Sequence, residues 1–143
     1  MRLKSIVLLT VFFSFLVVIL SMHFAVALPV CPGALCGKVL EAPSNTAHGT
    51  DITIKFDVTY EGVDPSVTLD FTKSTTNIGT WKSLPPNTNI NKGITLPLSG
   101  ILTVPQGSSG TINAVVKVDP SIGADADIPI AAIIINSNSD ITI

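Results

Sequence analysis

The carboxylates best placed to bind a metal ion lie close together late in the sequence. Asp119, Asp125 and Asp127 fall within the segment DPSIGADAD, directly ahead of a predicted strand. Oxygen ligands clustered on a loop suit a hard cation such as calcium. The segment lacks the D-x-[DN]-x-[DN]-G pattern with a distal glutamate. Two interpretations therefore stay open: a calcium site formed by these three side chains, or a solvated acidic turn.

A second candidate site lies in the longest polar stretch, residues 72–93, which contains the only tryptophan of the chain. Trp81 is followed directly by Lys82, and Asn87 and Asn89 come shortly after. An aromatic ring among amide and hydroxyl groups can bind a sugar by stacking and hydrogen bonding. The alternative is that Trp81 folds down and caps the core, as most tryptophans in small domains do. These four residues form the predicted ligand-binding set.

Residues able to carry covalent or acid–base catalysis are sparse. His48 is the only histidine after residue 27, and it lies in the turn-like stretch SNTAHGT. No G-x-S-x-G or H-E-x-x-H motif accompanies it. We therefore expect a protein without enzymatic activity and without a cofactor. The rival hypothesis is a small glycan-active hydrolase, which would need two carboxylates about 5 to 9 Å apart in a cleft.

The first 27 residues have the pattern of a secretory targeting segment. Arg2 and Lys4 precede a charge-free apolar run at residues 6–20, and Ala25-Val26-Ala27 is an A-x-A cleavage signature. The alternative is an uncleaved anchor, because residues 6–27 are long enough to span a bilayer. Either way the remainder is expected outside the cell or on its surface, with any membrane contact made only through this segment.

The two cysteines follow this segment closely. Cys31 and Cys36 lie within residues 28–37, which also hold two prolines and two glycines, so we predict an extended lead-in there. In an oxidising compartment such a pair is predicted to form a local disulfide. The spacing C-x4-C is not that of the C-x-x-C redox motif, and two thiolates alone do not make a tetrahedral metal site.

The charge balance argues against nucleic acid as a partner. After residue 27 the chain has six lysines, ten acidic residues and no arginine, a formal net charge of −4. Proteins that bind nucleic acid need a clustered basic face, and arginine is the preferred side chain for phosphate contacts.

Alternation of apolar and polar residues predicts short strands as the elements that position these side chains. The clearest run is 51–60, DITIKFDVTY, and the run 67–71 repeats it. The turn residues EGVDPS between the two predict a hairpin. Residues 128–135, IPIAAIII, predict a strand covered on both faces. Further strands are predicted near Val39 and Leu40, over 94–98 and 112–118, and at Ile141 and Ile143.

The run from Lys38 to Tyr60, KVLEAPSNTAHGTDITIKFDVTY, resembles the opening of immunoglobulin-like and fibronectin-type β-sandwich domains. The resemblance extends over residues 38–143. The predicted strands number about seven, which is the pattern of an all-β antiparallel sandwich, and the resemblance implies the same architecture. The signal helix of residues 1–27 and the lead-in of 28–37 are predicted to precede it. The predicted core consists of Ile52, Ile54, Phe56, Val58, Leu69, Phe71, Val116, Val118, Ile133 and Ile135.

These observations favour a secreted binding or structural module of the cell surface that is not an enzyme. The expected partner is an extracellular glycan or a protein surface, and the chain is expected to be a monomer. The competing possibility is a surface polymer subunit that exchanges strands, with residues 128–135 at a sheet edge.

Overall fold

The computed structural model describes residues 7–12 and 31–137. The chain divides into two compact units, Met1–Val30 and Cys31–Ile143. In the first unit, residues 7–12 are helical; the rest of the predicted signal segment lies outside the described residues, as does the strand predicted at Ile141 and Ile143. Within the described residues, no helix has both the length and the apolar character needed to cross a membrane.

The second unit is built of β-strands, as the sequence predicts, but it contains more of them than expected. Its described part forms twelve strands rather than about seven. The predicted strands 112–118 and 128–135 are each divided between two sheets, and four short strands lie where none was predicted. The twelve strands are β1 (Leu35–Glu41), β2 (Asn45–Ala47), β3 (Asp51–Tyr60), β4 (Ser66–Asp70), β5 (Thr75–Thr76), β6 (Thr80–Ser83), β7 (Thr88–Asn91), β8 (Thr95–Thr103), β9 (Gly110–Ile112), β10 (Ala114–Pro120), β11 (Ala126–Pro129) and β12 (Ile133–Asn136).

The twelve strands form three sheets. The first sheet has the order β1-β3-β8-β6, and the second has the order β11-β10-β4-β7, with the short β5 also pairing with β10. The third has the order β2-β12-β9. All pairings are antiparallel except that of β2 with β12.

Strand β3 forms where the alternation is strongest. It pairs with β8 without interruption from Asp51 opposite Thr103 to Thr59 opposite Thr95. Because successive side chains of a strand point to opposite faces, Ile54, Phe56 and Val58 all turn inward and are completely buried. The predicted strand is therefore confirmed residue by residue.

The hydrophobic core draws its side chains from all three sheets. All ten predicted core residues are buried, the most exposed being Ile52 at 7%. The rings of Phe56 and Phe71 pack with their centroids 6.0 Å apart and their planes tilted by 56°. Phe56 belongs to β3, whereas Phe71 directly follows β4. This aromatic pair therefore joins the first sheet to the second.

The predicted hairpin between β3 and β4 is wrong, because the two strands lie in different sheets. Strand β3 has β1 and β8 as its neighbours, and β4 has β7 and β10. The connecting residues 61–65 carry the chain across the core instead of turning it back. Their backbone groups form hydrogen bonds with other segments of the chain. Glu61 N donates to the carbonyl oxygen of Ala34 at 2.7 Å, and Pro65 O accepts from Lys92 N at 3.0 Å.

The apolar run 128–135 is not one strand covered on both faces. It divides into the end of β11 and the start of β12, which belong to different sheets, and Ala131 and Ala132 between them are exposed. Ile134 in β12 is 56% exposed. The apolar residues form an unbroken run in the sequence because two strand segments, each buried on one face, follow each other. The apolar side chain of Ile134 also occupies a solvent-facing position.

The predicted disulfide between Cys31 and Cys36 is present. Strand β1 begins at Leu35, two residues before the predicted end of the lead-in, so Cys36 is a strand residue opposite Thr59. Cys31 is buried and its sulfur lies 3.8 Å from the carbonyl oxygen of Thr59. The disulfide therefore holds the start of the domain against the end of β3.

Candidate functional site

Trp81 lies on the edge strand β6 and turns toward the interior. It is partly buried against the core, its ring lies against Gly100 of β8, and its Nε1 donates a hydrogen bond to the carbonyl oxygen of Thr75 at 3.3 Å. The next residue, Lys82, lies at a bulge of β6 and points to the solvent side, as alternation along a strand predicts, and its ammonium group bonds to Asp51. This placement corresponds to the core-capping alternative for Trp81.

The two asparagines of the predicted set belong to another part of the domain. Asn89 lies on β7, the edge strand of the second sheet, and its Oδ1 accepts a hydrogen bond from the Thr68 hydroxyl at 2.6 Å. Asn87 is exposed in the connection that precedes β7. The structure therefore places Trp81 and Lys82 on one sheet and Asn89 on another. Proximity in sequence did not translate into one shared surface.

The three aspartates of the predicted calcium site lie around the turn between β10 and β11, each near a lysine. Asp119 forms an ion pair with Lys73, and Asp125 lies 3.4 Å from Lys117. Asp127 is opposite Lys117 in the ladder. Across residues 7–12 and 31–137, no group of three histidine, cysteine or acidic side chains is arranged to hold a metal ion. In the structure, the positive charge next to Asp119 and Asp125 therefore comes from lysine side chains.

Hydrogen bonds hold the pKa of several aspartates below the ordinary value. The pKa of Asp119 is lowered chiefly by the hydrogen bond from Lys73, and that of Asp51 chiefly by the hydrogen bond from Lys82. The pKa of Asp70 is lowered chiefly by the backbone amide of Thr72, which donates to its Oδ1 at 2.8 Å.

Acid is therefore expected to weaken the fold. A carboxyl whose pKa is lower in the folded state stabilises that state above its unfolded pKa, and the contribution is lost as pH falls through the folded pKa. For Asp51, Asp70 and Asp119 this loss begins below about pH 4. Carboxyl-carbon NMR titration checks the three pKa values, and urea unfolding at each pH checks the free energy.

Lys73→Met provides the matched control for this prediction. It should raise the pKa of Asp119 toward the ordinary value and leave that of Asp51 unchanged, because Asp51 has a different lysine partner. Added salt should weaken the effect at these exposed groups. A wild-type Asp119 that titrates at or above the ordinary aspartate pKa would contradict the prediction.

The first sheet presents a solvent-facing side that sequence reasoning did not single out. We call it the outer face. It lies on β1, β3 and β8, and it carries Lys38, Leu40, Glu41, Thr53, Lys55, Asp57, Pro97 and Ser99. The inward-facing residues of the same strands form the core, so the outer face is held by three paired strands.

Ion pairs cross the strands of the outer face. Lys55 Nζ lies 2.7 Å from Glu41 Oε2, and Lys38 Nζ lies 3.7 Å from Asp57 Oδ2. The lysine members are more than half exposed, so each pair contributes little to stability. Their effect is electrostatic, because they leave the outer face nearly neutral while keeping hydrogen-bonding groups at its surface.

A shallow groove of about 260 Å³ runs along the outer face. It is lined by Leu40, Thr53, Lys55, Pro97, Leu98 and Ser99. Leu40 reaches the groove because the ladder between β1 and β3 shifts between Val39 and Glu41, and it is 51% exposed. The signal available in the sequence was Pro97 at a polar position of an alternating strand. Apolar walls beside hydroxyl and ammonium groups can bind a ligand by contact and by hydrogen bonds together.

Comparisons with known proteins find distant likeness in structure but none in sequence. No family model matches the chain, and no curated protein matches it. A conjugative transposon lipoprotein from Bacteroides eggerthii, solved by crystallography, is similar in structure, with 10% sequence identity and a TM-score of 0.45. The match covers 68% of this chain and 94% of that one. At this TM-score the likeness supports no conclusion about fold family or function.

Proposed function

We propose that this protein is a secreted or cell-surface binding module, without catalytic activity, that recognises a protein surface through its outer face. The observation that carries the proposal is the groove between Leu40, Lys55 and Pro97. It combines exposed apolar surface with hydroxyl and ammonium groups on one side of a sheet. A site on paired strands is held more rigidly than one on a loop.

The orientation of Trp81 favours a protein partner over a glycan. Glycan recognition by stacking needs an exposed aromatic ring. The ring of Trp81 packs against the core and its Nε1 is already bonded to Thr75. The groove residues themselves are aliphatic or polar. Such a surface suits an extended peptide segment that places small apolar side chains beside Leu40 and Pro97.

Two further features belong to this proposal. Secretion is supported by the apolar segment with its A-x-A signature and by the disulfide between Cys31 and Cys36. An immunoglobulin-like arrangement of the first two sheets is supported by their antiparallel pairing and common core. It would be a variant of that arrangement, because the disulfide lies beside the first sheet and a third sheet contains the parallel pair β2–β12.

A monomer is part of the proposal because the sheet edges carry features that discourage pairing with another chain. The edge strand β11 is short, ends at Pro129 and carries the exposed Asp127. The edge strand β6 is interrupted by its bulge at Lys82. Proline, charge and bulges are the usual protection of edge strands against strand addition.

The test uses a library of displayed 12-residue peptides, selected against the immobilised wild-type protein. We expect Leu40→Asp to weaken the selected peptides about tenfold or more, because it places a charge in the groove. Ile134→Asp is the matched control, since Ile134 has similar exposure but lies on β12. The expected result is unchanged binding for that variant.

Three other outcomes would overturn the proposal. Binding of a glycan array that is lost in Leu40→Asp would replace the protein partner by a sugar. Reproducible turnover in a broad hydrolase screen would replace the binding module by an enzyme. Peptides that bind both variants equally would remove the outer face as the recognition surface.

A further inference from the structure

Three connections lie at one end of the domain, which we call the loop end: residues 61–65, 92–94 and 121–125. The first two are joined directly, with Lys92 N bonded to Pro65 O at 3.0 Å and Gly93 N bonded to Tyr60 O at 2.7 Å. The third lies beside β4, because Ser121 N donates to the carbonyl oxygen of Thr68, in the middle of that strand, at 2.8 Å. The first two connections are therefore bonded to each other, and the third lies beside the strand that follows the first.

The loop end collects most of the exposed large apolar side chains of the domain. Within residues 31–137 five such side chains are exposed, and three of them lie here: Val63 at 94%, Ile122 at 58% and Ile94 at 46%. Each lies in a different turn. Single exposed apolar residues are normal on a protein surface, but their concentration on the tips of adjoining turns marks an interaction surface.

Two of these turns have open space beside a glycine. Gly93 and Gly123 adjoin Ile94 and Ile122, and they have φ angles of +78° and +105°. A side chain at either position would meet no atom within 4 Å. Positive φ at these two glycines lets the chain reverse tightly beside Ile94 and Ile122.

The chain also enters the domain at the loop end. Strand β1 begins there, with Leu35 opposite Tyr60, and Ala34 O accepts a hydrogen bond from Glu61 N at 2.7 Å. Only residues 28–30 separate Cys31 from the apolar segment that ends at Ala27. Four residue steps reach at most about 14 Å. If the apolar segment remains in a membrane, Cys31 cannot lie farther than this distance from the end of that segment.

We propose that the loop end docks on a lipid surface, with Val63, Ile94 and Ile122 entering the interfacial region. Apolar residues on an otherwise polar surface gain free energy by burial at the boundary of headgroups and acyl chains. The acidic residues around the turns, Glu61 and Asp64, outnumber the nearby Lys92. The expected lipid is therefore one with neutral, zwitterionic headgroups. No residue of the outer face takes part in this proposal. An experiment can therefore contradict lipid docking without contradicting the proposed binding function of the outer face.

The experiment uses the full-length protein in phosphatidylcholine vesicles with an environment-sensitive fluorophore attached at Val63→Cys. We expect blue-shifted emission and strong quenching by lipids that carry a nitroxide near the headgroup. The control fluorophore is attached at Gln106→Cys, in the turn that follows β8 at the opposite end of β3. It should show neither effect. Adding phosphatidylglycerol to the vesicles should weaken the quenching at position 63, because the turns are acidic.

A second variant separates insertion of the turns from simple tethering. Ile122→Asp, combined with the fluorophore at position 63, should lower the quenching at least twofold, because a charged turn resists entry into lipid. Circular dichroism establishes that this variant keeps the fold. Quenching unchanged by Ile122→Asp would mean that the tether alone brings the turns close, and the proposal would fall. A blue shift at position 63 could also persist in lipid-free detergent and grow with protein concentration. That result would mean that the loop end contacts a second copy of the protein and not lipid.

Discussion

Phe56→Ala is expected to destabilise the fold by about 3 to 5 kcal/mol. Phe56 is completely buried, and its ring is one half of the aromatic pair with Phe71. The substitution removes apolar contacts and leaves a cavity between the two sheets, where surrounding side chains can relax only in part. Since domains of this size are stable by only about 5 to 15 kcal/mol, the loss is a large fraction of the total.

Urea unfolding followed by circular dichroism measures this effect. Thr53→Ala is the matched control, because Thr53 lies on the same strand but faces solvent. It should change the free energy of unfolding by less than about 0.5 kcal/mol. Phe56→Leu should fall between the two, since it keeps part of the apolar volume. A loss below about 1 kcal/mol for Phe56→Ala would show that the two sheets do not depend on this ring.

Strand β3 was predictable because the strand and its buried face both follow from the alternation of apolar and polar residues within the segment itself. Its alternation predicts a strand with one buried face, and that face is the one that packs in the core. Pairing is a different matter, because it depends on which distant segment supplies the partner. The residues EGVDPS permit a tight hairpin and a crossing between sheets equally well. The structure has the crossing, since both sides of β3 are occupied by β1 and β8.

The candidate sites show the same division between local and distant information. The sequence identified Trp81 and Asn89 as residues able to bind a sugar, but it could not show that they lie on different sheets. It identified Asp119 and Asp125, but Lys73 reaches Asp119 from 46 residues away. The groove depends on a register shift in β1 that exposes Leu40. No property of Leu40 alone predicts that exposure.

Gly37 was also assigned to the lead-in, where glycine commonly permits a turn, but its role in the structure is close packing. It lies within β1 opposite Val58. A Cβ atom at this position would lie 2.3 Å from Cδ1 of Ile128 and 2.6 Å from the carbonyl oxygen of Asp57. Ile128 is buried on β11, an edge strand of the second sheet. The missing side chain therefore lets β1 and β11 approach each other along the side of the domain.

We expect Gly37→Ala to destabilise the protein by about 1 to 3 kcal/mol, the usual cost of overpacking a core. The end of the Ile128 side chain can rotate away, but the carbonyl oxygen of Asp57 belongs to the paired backbone of β3 and cannot. Gly33→Ala is the control, because a Cβ atom at Gly33 would meet only the Leu35 carbonyl oxygen, at 3.9 Å. Its free energy of unfolding should stay within about 0.5 kcal/mol of wild type.

The double variant Gly37→Ala with Ile128→Ala tests whether the two strands meet in solution as they do in the structure. Ile128→Ala alone should cost about 2 to 5 kcal/mol, because it leaves a cavity. In the Gly37→Ala background it should cost about 1 kcal/mol less, since the added methyl group then occupies part of that cavity. The double variant should remain less stable than Ile128→Ala alone, because the methyl group at position 37 still contacts the carbonyl oxygen of Asp57. Strictly additive losses in urea unfolding would show that β1 and β11 do not pack together at this point.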